Sequence, residues 1–362
     1  MSDALLHRLH EHLAARADES PPLALLQPAE PFLDTVGEAM RRRLFVTQAG
    51  GRTLCLRPEF TIPLCRHHIE ADTMLAMIYS ASGTVFRQDR AREEFPQAGL
   101  ELLGHTNTAR ADAAALAHML DALALGGLSD AVVTVGDKAL FASLLNGLAL
   151  SETWRARLLR AFGDVAALDA LIDNLASPPE PPRTAHEKLA LAGNHERLCA
   201  EVVALMKAGG LSPSQGRDPA VVAARMIERT RDRQVRLDPF ALHVLRSFLA
   251  IDQPLESAAR SLETLADQSG LDLQSGLKAF GDRLDALERI DLGRFHFRAG
   301  FGRPLDYYTG LLFEARALDA ADDGPAVAGG GRYDRLCSGL GAPAPIPAVG
   351  FTVAVDVLAG GT

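Results

Sequence analysis

Two hydrophobic periodicities follow one another along this chain, and their order leaves few folds open. Between about residues 20 and 104, short apolar runs keep a period of two in RTLCLRPEF (52–60), MLAMIYSASGTVFRQD (74–89) and GLELLGH (99–105), the pattern of half-buried strands. ASPPEPPRTA (176–185) has prolines at four of five consecutive positions, which neither a helix nor a ladder tolerates. From there to about residue 291 the pattern is almost entirely helical. Strand signals return in RFHFRAG (294–300), TGLLFEARAL (309–318) and AVGFTVAV (348–355), with glycine-rich AGGGRYDRLCSGLG (328–341) between the last two. Strands, helices and strands again predict an α+β fold: one antiparallel sheet flanked by helices, in two halves, 1–175 and 292–362, around a helical insertion at 176–291.

Local signals fill in the first half. Leu5, Leu6, Leu9 and Leu13 recur at helical spacing behind Ser2 and Asp3, which predicts a capped amphipathic helix. TARADAAALAHMLDALALGG (108–127) reads as a helix closed by Gly126 and Gly127, and DAVVTVGD (130–137) as a further strand. A length of 362 residues with 48% hydrophobic and 23% charged residues supports a sizeable core. The net charge of −9 opposes attraction to phosphate backbones, so nucleic acid is not an expected partner.

Several chemistries find no support. Cys55, Cys65, Cys199 and Cys337 are scattered without structural-zinc spacing, and adjacent His67 and His68 would diverge on a strand; no metal is expected. Walker A, H-E-x-x-H, G-x-S-x-G and dinucleotide fingerprints are missing, so no cofactor is expected. A charged N-terminus and the lack of a long apolar run predict a cytoplasmic chain with no membrane partner.

What stands out instead is a set of polar residues inside apolar, strand-like sequence: Glu59, Arg87, Gln97, Glu101, Arg303, Tyr307, Tyr308 and Tyr333. A buried charge costs several kcal/mol unless something compensates it. Mutual pairing, for example Arg87 with Glu101, is one explanation. A pocket for a zwitterion is the other, with carboxylates for a cationic group, arginines for an anionic one, and phenols and an amide to fix orientation. A free amino acid carries that mixture.

Seven blocks, PAE (28–30), LRPEFTIP (56–63), TVFRQD (84–89), FPQAGLELLG (95–104), RPLDYYTGLLFEA (303–315), GGGRYD (329–334) and AVGFTVAVDVL (348–358), resemble in order the catalytic domain of class II histidyl-tRNA synthetases. The resemblance implies that Glu59, Gln97 and Arg87 surround the α-amino and carboxylate groups of histidine. Glu101, Tyr307, Tyr308 and Tyr333 would lie near the imidazole, and Arg303 on the carboxylate.

The nucleotide side departs from that family. Its third motif ends in Glu-Arg, where this chain has Asp356–Val357, and valine offers no planar cation to a nucleotide. The second-motif loop, RQDRAREEFPQ (87–97), carries Glu93 and Glu94, which would repel a triphosphate, unless Arg90 or Arg92 takes over. Only four residues follow Leu358, so an anticodon-binding domain is not expected.

This combination resembles the synthetase-like regulatory subunits of ATP phosphoribosyltransferase. Such subunits imply a non-catalytic role, feedback by L-histidine in the first step of histidine biosynthesis, a short-form catalytic subunit as partner, and a homodimer within a hetero-octamer. Motif-one-like sequence at Pro28 and Glu30 is what implies the homodimer. The alternatives are a histidine-activating ligase with a non-tRNA acceptor, a truncated synthetase, and a scaffold with an empty pocket.

Overall fold

The computed structural model describes residues 2–71, 75–88, 93–177, 181–209, 218–288, 290–303, 305–318 and 324–360. Among them run eleven strands: β1 (Leu26–Pro28), β2 (Val46–Ala49), β3 (Arg52–Leu56), β4 (Met77–Phe86), β5 (Glu94–Leu103), β6 (Val132–Asp137), β7 (Asp252–Pro254), β8 (Phe295–Arg298), β9 (Leu311–Arg316), β10 (Ala328–Arg332) and β11 (Ala348–Ala354). Eight form one sheet in the order β4-β5-β11-β10-β9-β6-β8-β7. Its pairs are antiparallel except β6 with β8, which are parallel. The α+β class stands.

One expectation for the first half does not. RTLCLRPEF was read into the same sheet as the runs that follow it, but β3 pairs only with β1 and β2 in a separate three-stranded sheet. Period two reports a half-buried strand and says nothing about its neighbours, because pairing is a non-local property.

Register places the middle of the large sheet. Glu101 on β5 stands opposite Gly350 on β11 and Tyr79 on β4, while Gln97 stands opposite Ala354 and Gly83. The helices Ser2–Ala14 and Thr108–Leu125 bury one face each, Leu5, Leu9 and Leu13 in the first and Leu116, Met119, Leu120 and Leu123 in the second. Asn107 caps the latter helix by accepting the Arg110 N–H at 3.1 Å, and Gly126 closes it.

A buried ion network ties this helix to the sheet. Arg283, on the helix Gln274–Ala286, donates to Asp112 at 2.8 Å and Asp137 at 2.7 Å. Arg332, at the end of β10, donates to Asp112 at 2.6 and 3.0 Å and to Asp334 at 2.8 Å. Asp137 also accepts the Ala139 and Leu140 N–H groups at the start of the helix Lys138–Gly147.

The chain divides into two compact units, residues 1–144, 162–164 and 247–362 forming one and 145–161 with 165–246 the other. This division differs from the 176–291 insertion expected above. The helices Leu255–Ser269 and Gln274–Ala286 belong with the sheet, since Arg283 is bonded into the network just described. The second unit is helical, with a small core of Ala190, Leu198, Ala223 and Ile227, and Trp154 donates its indole N–H to the Asp232 carbonyl at 2.7 Å.

Candidate functional site

All eight residues singled out above line one cavity of about 90 Å³ in the sheet-bearing unit, together with Met40, Arg43, Thr61, Leu305, Gly329, Gly330, Gly350, Phe351 and Thr352. Its floor is β5, β11 and β10. Gln97 and Glu101 both stand on β5, four residues apart and therefore on the same face of the strand. The Glu101 and Arg303 side chains fit because the neighbouring strands carry glycine. A Cβ at Gly350 would fall 1.5 Å from Glu101 Oε2, and one at Gly329 would fall 1.8 Å from Arg303 Nη1.

Of the eight, Gln97 and Glu101 lie within a strand and Arg87 and Tyr333 directly follow one, while the other four occupy a different kind of backbone from the one expected. Glu59 is not in a strand; it lies just before the helix Thr61–Glu70 and accepts the N–H groups of Thr61 at 2.6 Å and Ile62 at 3.0 Å. A carboxylate among the unpaired amides of a first helical turn satisfies them and is favoured by the helix dipole. RPLDYYTGLLFEA is likewise strand only from Leu311; Arg303, Tyr307 and Tyr308 precede it in turns and irregular chain. Adjacent His67 and His68 fall on the helix Thr61–Glu70, not on a strand, and each packs edge-on against Tyr79. No group of three or more potential metal ligands is found among the described residues.

Glu101 is bonded by hydroxyls rather than by a cation. Thr61 Oγ1 donates to it at 2.6 Å and Tyr333 Oη donates to its other oxygen. Burial pushes its pKa up to about 8 against the pull of those two donors, with the nearby Glu59 adding to the rise. Burial likewise raises Glu59 above the usual carboxylate range, against the lowering effect of its amide donors and of Arg87. Tyr307, Tyr308 and Tyr333 are raised by burial too, so all three keep their phenolic protons. Their rings form a cluster, Tyr307 lying 5.0 Å from Tyr308 and 5.7 Å from Tyr333.

The expected Arg87–Glu101 pairing is not what compensates Glu101. Arg87 donates Nε to the Pro58 carbonyl at 2.9 Å and lies over the Phe95 ring. Arg303 donates Nη1 to Glu314 at 2.9 Å, and its Nε is buried with no partner. Gln97 Oε1 is also buried without a partner. An orphaned donor and an orphaned acceptor thus belong to side chains lining the same cavity. Groups of that kind are rare in native interiors and call for a ligand or solvent.

Sequence reasoning missed Thr61 and Arg43. A neutral hydroxyl in an apolar run carries no burial penalty large enough to notice, and Arg43 sits in RRRLF, which reads as solvated charge. Asp356 and Val357 lie inside the four-residue helix Val355–Leu358 after β11 and are not among the lining residues of the cavity. Glu93 accepts the Arg87 N–H through its carbonyl at 2.9 Å and Glu94 begins β5, while Arg90 and Arg92 lie outside the described residues. The helical unit has a wider cleft of about 970 Å³, where Arg157, Arg160 and Arg231 face Glu152, Glu228 and Asp232. Its charges balance, and none of those residues carries a buried orphan atom.

Comparison with known proteins places this arrangement. Residues 20–248 and 222–358 match the family described as histidyl-tRNA synthetase. An ATP phosphoribosyltransferase regulatory subunit from Mesorhizobium japonicum is 46% identical over 361 residues, covering 98% of this chain and 96% of its own. The chain belongs to the ATP phosphoribosyltransferase regulatory subunits. A second member, from Chelativorans, is 44% identical over 93% of this chain and 91% of its own. Regulatory subunits are not catalytic ones, and the chain is therefore not the enzyme of its complex. Among solved structures, an ATP phosphoribosyltransferase regulatory subunit/histidyl-tRNA synthetase from Bacillus halodurans superposes with a TM-score of 0.67 at 20% identity, covering 99% of this chain and 78% of that one. Histidyl-tRNA synthetase from Nostoc gives 0.64 at 16% identity, covering 99% and 70%. Both comparisons show the class II synthetase fold.

Proposed function

We propose that the cavity binds free L-histidine and that the chain, as a homodimer assembled with short-form catalytic subunits into a hetero-octamer, sets their activity in the first step of histidine biosynthesis. The observation that carries this reading is the pair of orphaned buried atoms, Gln97 Oε1 and Arg303 Nε, in a cavity that also holds two buried carboxyls. An α-ammonium group suits the amide oxygen and Glu59; an α-carboxylate suits the Arg303 guanidinium, with Arg87 nearby. An imidazole can exchange hydrogen bonds with Glu101 and with phenols that hold their protons. At the position where the synthetases carry a cation for the nucleotide stands Val357, which supports a sensor over an activating enzyme.

Binding regulates only if histidine prefers the less active arrangement of the complex, and a coupling of about 1–3 kcal/mol gives roughly 5–150-fold control. The test mixes the chain with a short-form catalytic subunit and follows phosphoribosyl-ATP formation. Turnover should require this chain and should fall when histidine is added. Calorimetric titration of the isolated chain should show histidine uptake that is lost in Glu101→Ala. Absence of uptake by the native chain would favour an empty scaffold, and histidine-dependent exchange of pyrophosphate into ATP would favour a ligase.

A further inference from the structure

The two buried carboxyls of the cavity are held by different kinds of donor. Glu59 accepts backbone N–H groups, from Thr61 at 2.6 Å and from Ile62 at 3.0 Å, one on each oxygen. An amide N–H only donates, so these bonds fit the carboxylate, and neither partner can turn to accept from a protonated Glu59. Glu101 instead meets hydroxyls, Thr61 Oγ1 at 2.6 Å on one oxygen and Tyr333 Oη on the other. A hydroxyl donates or accepts as its hydrogen rotates. Glu101 can therefore take up a proton without losing a hydrogen bond: one hydroxyl turns round, accepts from the new O–H and aims its own hydrogen elsewhere. Thr61 and Tyr333 both line the cavity.

We propose that Glu101 is the proton-exchanging group of this cavity, and that it and the imidazole of a bound histidine hold one proton between them while Glu59 stays ionised. The proposal rests on the histidine reading given above. Charge balance in a dry site sets the number. Two protons leave an imidazolium beside a neutral acid, and none leaves a carboxylate beside a neutral ring; each case is a buried charge without a partner. One proton gives either a neutral pair or an ion pair, and both are balanced. The proton sits on Glu101 or on the ring nitrogen that faces it, and the Thr61 and Tyr333 hydroxyls turn to suit either form. Glu59 remains the fixed anion for the α-ammonium group.

Other titratable groups face Glu101 from each neighbouring element. β4 brings Tyr79, directly opposite Glu101 in the ladder and bonded to His68 at 3.0 Å. The helices Thr61–Glu70 and Leu336–Gly339 bring Cys65 and Cys337. Tyr307 and Tyr308 face it from the approach to β9, and Arg43, Arg87 and Arg303 line the same cavity as permanent cations. Burial raises the four phenols and Cys65, which keep their protons through neutrality, and it lowers His68, whose ring stays neutral there. Cys337 is lowered, chiefly through Cys65; it is unchanged in Glu101→Gln, so comparison with that variant cancels its contribution. The pH window follows from the two partners. Below about pH 6.5 free histidine carries an imidazolium and must shed a proton to bind. Burial raises Glu101 to about 8, and above that the empty site is ionised and the pair must take a proton up. Between the two limits nothing is exchanged.

The test is calorimetric titration of histidine into the intact chain in pairs of buffers that differ in ionisation heat, which counts the protons exchanged. Nearly one proton should be released at about pH 5.5, none exchanged at about pH 7.2, and most of one taken up at about pH 8.5. Affinity should fall from its value at about pH 7.2 by about eightfold at the acid end and about threefold at the alkaline end. Glu101→Gln, which cannot titrate, should lose the alkaline uptake and keep the acid release. The native proton counts decide even where that variant binds too weakly to titrate. Uptake of most of a proton at about pH 7.2 would show a bound imidazolium with no shared proton, and no uptake at about pH 8.5 would show that Glu101 is already ionised in the empty site. Either result overturns the proposal, as does a variant that keeps the native uptake. Heat of binding without proton exchange at any of the three pH values overturns the proposal and leaves the histidine reading standing. No binding at any of them overturns the histidine reading, and the proposal with it.

Discussion

Glu101 is buried with two hydroxyl donors and no bonded cation, and burial raises its pKa from 4.5 to about 8. A carboxyl that holds its proton more tightly folded than unfolded stabilises the fold fully below about pH 4.5 and loses that contribution as pH rises to about 8. Stability of the ligand-free chain should therefore decline across that window, by up to about 1.4 kcal/mol per pH unit from this one group. Glu101→Gln keeps the shape without the titration. Urea unfolding measured from pH 5 to pH 8.5 should show a flatter profile for the variant and a more stable variant at the upper end. Equal slopes would mean that Glu101 titrates normally. Gly329 permits a second test at the same scale. A methyl group there would meet the Arg303 guanidinium at 1.8 Å but comes no closer than 3.0 Å to the Phe313 carbonyl, so the side chain has to move more than the sheet does. Gly329→Ala should weaken histidine uptake by at least tenfold, measured calorimetrically, with only a modest fall in thermal midpoint.

The buried network of Asp112, Asp137, Arg283 and Arg332 joins two helices to the ends of β6 and β10. Each arginine has a second carboxylate, but Asp112 serves both and is itself fully buried. Removing it leaves two guanidiniums short of charge in a dry interior, which costs about 3–5 kcal/mol. Asp112→Ala should lower the urea midpoint by an amount corresponding to that loss without a change in slope, and a small change would show that water repairs the gap. None of these four residues was legible as a network, because the members lie far apart in sequence. What was legible were features with local causes. The helix from Thr108 to Leu125 shows its closing glycine, and β4, β5, β9 and β11 show their alternation. Glu59 and the approach to β9 were misread for one reason. Apolar neighbours around a polar residue look the same whether the backbone is a strand or a turn feeding a helix or strand, and the sequence does not carry the amides that Glu59 satisfies. The eight lining residues could still be collected, since a costly polar group in an apolar run is visible without knowing its backbone.

At the scale of the whole molecule, the net charge of −9 is unevenly spread. The helical unit holds fourteen arginines and lysines against eleven carboxylates, while the sheet-bearing unit holds twenty-three against thirty-five. The cavity lies wholly in the acidic unit, so the field around it does little to draw in an anion, and selection of the proposed zwitterion would fall to the contacts inside. A regulatory chain must also pass the consequence of that selection to another subunit, and thermodynamics fixes how this can be measured. If histidine lowers the affinity of the assembled complex for phosphoribosyl pyrophosphate by some factor, phosphoribosyl pyrophosphate must lower the affinity for histidine by the same factor. Calorimetric titration of each ligand into the complex, with and without saturating amounts of the other, gives the two factors independently. They should agree, and should lie in the range of about 5–150. Titrations of this chain alone should show no such dependence, because the second ligand then has no subunit on which to act. Two factors of one would leave histidine bound without influence on substrate, and feedback would then have to act on turnover rather than on binding. Two unequal factors would mean that the complex dissociates during the titration, since linkage within a single assembly admits only one value.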